Sequence, residues 1–131
     1  QLHHALQTAT MAKRAGADDE MVLISLIHDM GKVVNVPNHG QICAEIINPY
    51  VSDDAYNIIR THQDFQGEHY YHYLGKPRDL RKNFENESWF EKAKQFTDEW
   101  DQAAFDPEYD TEPLENFIPL IEKFFGFPKT I

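Results

Sequence analysis

Apolar positions recur at helical rather than strand spacing along almost the whole chain. Leu2, Ala5, Leu6, Ala9 and Ala12 form a stripe that predicts a first helix running up to Gly16, a residue suited to stopping it. Asp18 predicts an N-cap, and Asp19 and Glu20 complement the dipole of a second helix whose apolar run, Met21 to Ile27, ends in His28, Asp29 and Gly31. A third helix is expected from about Asn38, through Ile42, Ala44, Ile46 and Ile47, to near Pro49. A fourth starts at Ser52, carries Asp53 and Asp54 in its first turn, and runs through Ile58 and Ile59 to His62. Gly67 to Leu74 reads as a short aromatic helix closed by Gly75 and Pro77, followed by a basic stretch from Arg78 to Lys82. Ser88 and Glu91 have the spacing of a capping box, opening a helix that holds Trp100 and Asp101 and breaks at Asp106-Pro107. The last helix should open at Pro113, bury Leu114, Phe117, Ile118, Ile121 and Phe125, kink at Pro119 and stop at Gly126. No stretch reads as a strand and no repeat or linker divides the chain, so the pattern predicts one all-α domain over residues 1–131, a compact helical bundle.

Composition narrows the function. A chain of 131 residues can bury one real core but not two. The net charge of -10, from 22 acidic against 12 basic residues, repels phosphate backbones and anionic lipid, so neither nucleic acid nor membrane is expected as a partner. There is no apolar run approaching about eighteen residues and no signal-peptide pattern. Cys43 stands alone, which precludes internal disulfides, suits a cytoplasmic setting and reads as a small core residue rather than a catalytic thiol. The chain starts at Gln1 already inside a helical pattern, so further residues are expected upstream.

The chemistry lies in four histidines and two aspartates, His4, His28, Asp29, His39, His62 and Asp101, each on or beside an apolar-periodic helix. One histidine on an amphipathic helix is more often a hydrogen-bonded core residue than a ligand. Burying four imidazoles and two carboxylates together without cations would cost several kcal/mol per group, and two divalent metals would satisfy all six. Such donors suit Fe, Mn or Zn. His3, His69 and His72 are poorer candidates, off the His4 face or in a Tyr-rich surface-like segment. Lys76, Arg78, Arg81 and Lys82 could draw an anion to the site, although a solvated basic face accounts for them more simply. Tyr70, Tyr71, Tyr73, Trp89 and Trp100 could line a pocket for a quaternary ammonium, although aromatics at helical spacing are more often core.

The order His4-x4-Ala9, His28-Asp29-Met30-Gly31-Lys32, His39, His62 and Trp100-Asp101-Gln102 resembles the HD-domain superfamily. Its six-ligand set resembles the mixed-valent diiron oxygenase branch, which includes myo-inositol oxygenase and oxygenases that cleave hydroxylated phosphonates. The resemblance implies one iron held by His4, His28, Asp29 and Asp101, and a second by Asp29, His39 and His62, with Asp29 bridging. It further implies that a hydroxylated, anionic small-molecule substrate chelates the second iron while O2 is activated at the first, and that the bond next to the oxidised carbon is cleaved. Asp29 and Lys32 are then the catalytic candidates, and Lys32, like the substrate-contacting lysine of inositol oxygenase, also binds substrate. Gln66, one turn beyond His62, is expected to aim at the second metal and the substrate. Phe105 in place of a substrate-binding lysine, and Gln63 in place of a serine, point away from inositol itself. The connection from Asp29 to His39 is short for this branch, and a mobile loop missing between Lys32 and Asn38 would account for it. Two alternatives stand beside the oxygenase: a metal-dependent phosphohydrolase using Mn or Zn, and a metal-stabilised regulatory domain without turnover. The added histidines and the lack of a Gly-Tyr-Pro extension weigh against the hydrolase, and only an open coordination position with a pocket would exclude the regulatory domain.

Overall fold

The computed structural model describes residues 1–129, and among these the ordered elements are all helical. In chain order, α1 is Leu2–Arg14, α2 is Asp19–Ile27, α3 is His39–Ile47, α4 is Asp53–Tyr70, α5 is Phe90–Gln95 and α6 is Ile118–Phe125. Shorter 3-10 turns occupy Met30–Val33, Asn48–Tyr50, Tyr71–Leu74, Leu80–Phe84 and Leu114–Phe117, and a π-helical turn spans Phe96–Asp101. The expected caps hold where a short side chain can reach back: Asp18 accepts from the Met21 N–H at 2.9 Å and Ser52 accepts from the Ala55 N–H at 3.2 Å.

Helices α1 and α2 pack as one pair and α3 and α4 as another, and the π turn lies against α1, α2 and α4. Between them lies one cluster of buried apolar side chains that includes Leu23, Ile24, Ile47, Ile58, Ile59, Phe65, Phe96 and Phe117. Helix α2 is buried from Met21 to Leu26 and has no polar face, which is why its His28-Asp29 end emerges at the centre of the molecule rather than at the surface. Cys43 is fully buried, as expected, and burial pushes its thiol up to about 12, the pKa of an inert core group.

Several boundaries differ from those the periodicity predicts. Gly67 does not open a separate helix: α4 runs straight through it to Tyr70, because the Tyr71 ring folds back onto the space a Cβ would need. Ser88 forms no capping box. Trp89 takes the N-cap position, and its burial against Phe84 and Phe65 sets where α5 begins. Pro119 lies in the first turn of α6, where it opens the helix instead of kinking it. Only Phe117 of the terminal apolar set is fully buried, while Leu114 and Ile118 face outward because the 3-10 turn before α6 rotates them off the core. Residues Lys32 to Asn38 form a continuous hydrogen-bonded connection, with Val34 and Asn35 N–H on the Gly31 carbonyl and Asn38 N–H on Asn35 Oδ1.

The basic stretch is also not a solvated face throughout. Arg81 is buried; its Nη1 and Nη2 donate to the two Asp98 oxygens, each at 3.0 Å, and Nη2 also donates to the Phe65 carbonyl. It thereby ties the Leu80–Phe84 turn to α4 and to the π turn. Arg81→Met is expected to lower unfolding free energy by about 2 kcal/mol, because it removes the buried guanidinium's charge-assisted bonds to Asp98 and to the Phe65 carbonyl. Exposed Lys82→Ala should change it by no more than about 0.5 kcal/mol. Parallel urea denaturation of the two variants checks this; equal effects would contradict a structural role for Arg81.

Candidate metal centre

All six predicted donors converge. His4 comes from the first turn of α1, His28 from the end of α2, Asp29 from the turn after it, His39 from the first residue of α3, His62 from the middle of α4 and Asp101 from the end of the π turn. That last turn is decisive for Asp101. Counting five residues from buried Phe96, an α-helix at about 3.6 residues per turn would set Asp101 about 140° away from it, whereas a π turn of about 4.4 residues leaves about 50°. The wide turn, closed by the Gln102 N–H on the Thr97 carbonyl at 2.9 Å, thus buries Phe96, Trp100 and Asp101 together.

The donors form two groups that share Asp29. Around the first, His28 Nε2 lies 3.3 Å from Asp29 Oδ2 and 3.1 Å from Asp101 Oδ1, and His4 Nε2 lies 2.8 Å from Asp101 Oδ1, 3.3 Å from His28 Nε2 and 3.7 Å from Asp29 Oδ2. Around the second, Asp29 Oδ1 lies 3.1 Å from His39 Nε2 and 3.6 Å from His62 Nε2, with the two Nε2 atoms 3.0 Å apart. One carboxylate oxygen faces each group. Donors about 2.1 Å from a common ion sit about 3.0 Å apart at adjacent octahedral corners and about 3.4 Å apart at tetrahedral corners, so these separations are those of a coordination polyhedron.

The tautomers agree with this. Each Nδ1 faces a backbone carbonyl, which can only accept: Ala104 for His4 at 3.0 Å, Ser25 for His28 at 2.8 Å, Val36 for His39 at 2.8 Å and Ile59 for His62 at 2.7 Å. Every Nδ1 therefore carries a hydrogen, and every neutral ring turns a bare Nε2 lone pair toward the centre. Lone pairs 3.0 and 3.3 Å apart repel unless a cation or a proton lies between them, and the set fits divalent metals at both groups.

Without a cation the protons go where the carboxylates are strongest. Full burial opposes charging His28, but Asp101 and Asp29 outweigh it and raise the ring to about 10. Burial and the neighbouring His28 charge lower His62 despite Asp29 and Asp101. Burial would raise Asp29, yet His28, His39 and His62 hold it far below the usual carboxylate range; His28 and His4 do the same for Asp101.

A cavity of about 510 Å³ opens onto the centre. His4, Asp29, His39, His62 and Asp101 reach it and His28 does not; the remaining wall includes Lys32, Gln63, Gln66, Tyr70, Tyr71 and Phe105. Lys32 Nζ lies 3.3 Å from Asp29 Oδ2. Gln66 does not aim at the second metal, as its spacing from His62 predicts: its amide donates to Asp101 Oδ2, on the side of the first group, because α4 continues straight past His62 toward the π turn. Phe105 stacks on the His4 ring, with centroids 4.4 Å apart. Of the basic cluster, none reaches the cavity: Lys76 lies over the Tyr71 ring, Arg78 donates to the Glu68 carbonyl and Arg81 is buried. Tyr70 and Tyr71 join the wall, whereas Trp89 and Trp100 belong to the core and Tyr73 faces outward. His69 pairs with Asp98 at 3.0 Å, and His3 and His72 are exposed. The Ala104 carbonyl and the Gln63 amide carry no motif that would single them out in the sequence.

Two outcomes are expected for the centre. Asp29→Ala should lose both metal positions, since it removes the only donor common to them, and metal analysis retaining two ions per chain would contradict the sharing. The raised His28 pKa sets the sign of the pH dependence. The protonated ring stabilises the metal-free fold fully below its ordinary value near 6.5, and that contribution is lost as pH rises through about 10. Metal must displace this proton at neutral pH, so affinity should rise about tenfold per pH unit between pH 7 and 9, with about one proton released per chain. Calorimetry in buffers of different ionisation enthalpy measures that release.

No helix among the described residues is long and apolar enough to cross a membrane. No curated protein is matched at a significant level. The HD domain family matches residues 2–115, which spans all six converging donors. The chain belongs to the HD-domain family, with a His/Asp cluster built to hold divalent metal.

Proposed function

We propose that this HD-domain protein is a non-haem diiron oxygenase that uses O2 to cleave a small hydroxylated, anionic substrate, with a hydroxyphosphonate as the expected class. One observation carries the reading: the two Asp29 oxygens each face a separate histidine pair, so two ions would share a carboxylate within an imidazole-rich set. Imidazole suits iron and zinc better than magnesium. When bound, a mixed-valent Fe(II)/Fe(III) pair would supply O2 activation and Lewis-acid binding of the substrate hydroxyl.

The chain's own groups assign the roles. His4, His28, Asp29 and Asp101 offer four donors to the first position, whereas Asp29, His39 and His62 offer three to the second, all of them on the cavity wall, so more of its coordination would be left to a substrate. A bidentate substrate therefore belongs beside His39 and His62. Lys32 sits at the same wall and is the one lysine or arginine reaching the cavity among the described residues. Were Asp29 to hold metal, the Lys32 ammonium now 3.3 Å from its Oδ2 would be available for the anionic end of the substrate. Asp29 would hold both ions, Gln66 holds Asp101 and lines the cavity, and Phe105 and the tyrosines would limit water around the substrate.

A second reading, a metal-dependent phosphohydrolase with Mn or Zn in the same positions, is favoured by the family match, since HD domains suggest phosphohydrolase-type chemistry. A single lysine at the wall supports a small monoanionic or dianionic ligand better than a nucleotide polyphosphate. A cavity opening onto the donors favours an enzyme over a purely metal-stabilised regulatory domain.

Hydroxyphosphonates and nucleotides screened side by side, with and without oxygen, test the proposal. Oxygen-dependent consumption of the hydroxyphosphonate is expected, and Lys32→Met should raise KM by about tenfold or more as a charge-assisted hydrogen bond is lost. Oxygen-independent phosphate release from a nucleotide would overturn the oxygenase in favour of the hydrolase.

A further inference from the structure

His39 is the candidate donor with the least scaffold behind it. The connection that delivers it is exposed at Val33, Val34 and Val36, and its backbone bonds are local. Apart from the His39 ring itself, the side-chain hydrogen bonds that reach residues 33–40 from another element, among the described residues, are both made by Gln63. Gln63 follows His62 on α4. Its Nε2 donates to the Pro37 carbonyl at 3.0 Å and its Oε1 accepts from the Gly40 N–H at 2.8 Å. These partners bracket His39 on both sides. A carbonyl can only accept and an N–H can only donate, so both ends of the carboxamide are used and its orientation is forced.

The approach this clamp secures is unusually close. A Cβ on Gly40 would lie 3.0 Å from Gln63 Oε1, 3.1 Å from the Ile59 carbonyl and 3.2 Å from His62 Nδ1, so the start of α3 rests directly on the α4 turn that carries His62. On the other side, a Cβ on Gly31 would collide with the His39 carbonyl. Two bare glycines let the backbones close, and the Gln63 amide bonds them in that register. The result is His39 Nε2 at 3.0 Å from His62 Nε2 and 3.1 Å from Asp29 Oδ1.

We infer that Gln63 is a positioning residue that sets metal affinity at the second position, His39–His62–Asp29, independently of the first. The four donors of the first position come from α1, from α2 with the turn after it, and from the π turn, none of which Gln63 contacts through its hydrogen bonds. The inference rests on the binuclear reading of the cluster and holds whichever reaction that cluster performs. Gln63 also lines the cavity, so its clamp and the open coordination side of the second position share one wall.

The test is titration of the full chain with Mn2+ alone, followed by calorimetry and electron paramagnetic resonance, in the unsubstituted protein, Gln63→Ala and Gln63→Met. Methionine keeps the length of the side chain and removes both hydrogen bonds, which separates bonding from packing. The unsubstituted chain should take two equivalents and show a spin-coupled signal. Both variants should bind the first equivalent normally, weaken the second by about tenfold or more, and show isolated Mn2+. Gln63→Met binding the second equivalent as tightly as the parent, or both equivalents weakening together, would overturn the inference. Fewer than two equivalents in the unsubstituted chain would instead remove the binuclear reading on which it rests.

Discussion

The shared carboxylate of Asp29 is the constraint around which the rest of the molecule is arranged. It is largely buried, and its two oxygens face His28 and His4 on one side and His39 and His62 on the other. Such a group is tolerable in a low-dielectric interior only if positive charge surrounds it. In the metal-free chain, protonated imidazole supplies that charge, with His28 raised to about 10. Metal would supply it with bare Nε2 donors, for which the four Nδ1–carbonyl bonds already orient every ring. Centre and fold are therefore one problem: helices that carry the imidazoles can meet only where the carboxylate is.

Three local devices solve it. The buried run Met21–Leu26 of α2 carries the His28-Asp29 end into the interior, where an amphipathic helix would have kept one face in water. The π turn, rotating less per residue than an α turn, keeps Asp101 inward beside Phe96, whose ring then meets the edges of His28 and His62 at centroid distances of 5.2 and 6.4 Å. Buried Arg81 fastens that turn through Asp98 and fastens α4 through the Phe65 carbonyl. Each departs from ordinary helical patterning, and each departure faces the centre, as expected where local preference yields to a functional geometry.

The asymmetry between the two positions follows from the same scaffold. The first gathers four donors from helix ends, of which only His28 lies away from the cavity; the second gathers three, all of which line the cavity, and depends on a short exposed connection for His39.

Much of this was readable from the residues alone. Helical periodicity placed α1 to α4, and the caps at Asp18 and Ser52 followed from side-chain chemistry. The six donors stood out because imidazoles and carboxylates buried together are costly unless cations bind them. What periodicity cannot carry is any feature that depends on contact between segments distant in sequence. Gly67 looked like a break and is a seat for Tyr71; Ser88 looked like a cap and was overridden by the burial of Trp89; Arg81 looked solvated and is a buried anchor. Gln66 lines the cavity but bonds Asp101 instead of facing His39 and His62, since its direction depends on where the π turn ends. The residue types and their order determined that a metal-binding helical domain would form. Tertiary packing decided which oxygen of Asp29 faces which histidine pair, which donors reach the cavity, and that one glutamine amide bonds both sides of His39, because these are fixed by distances across the fold that no local pattern encodes.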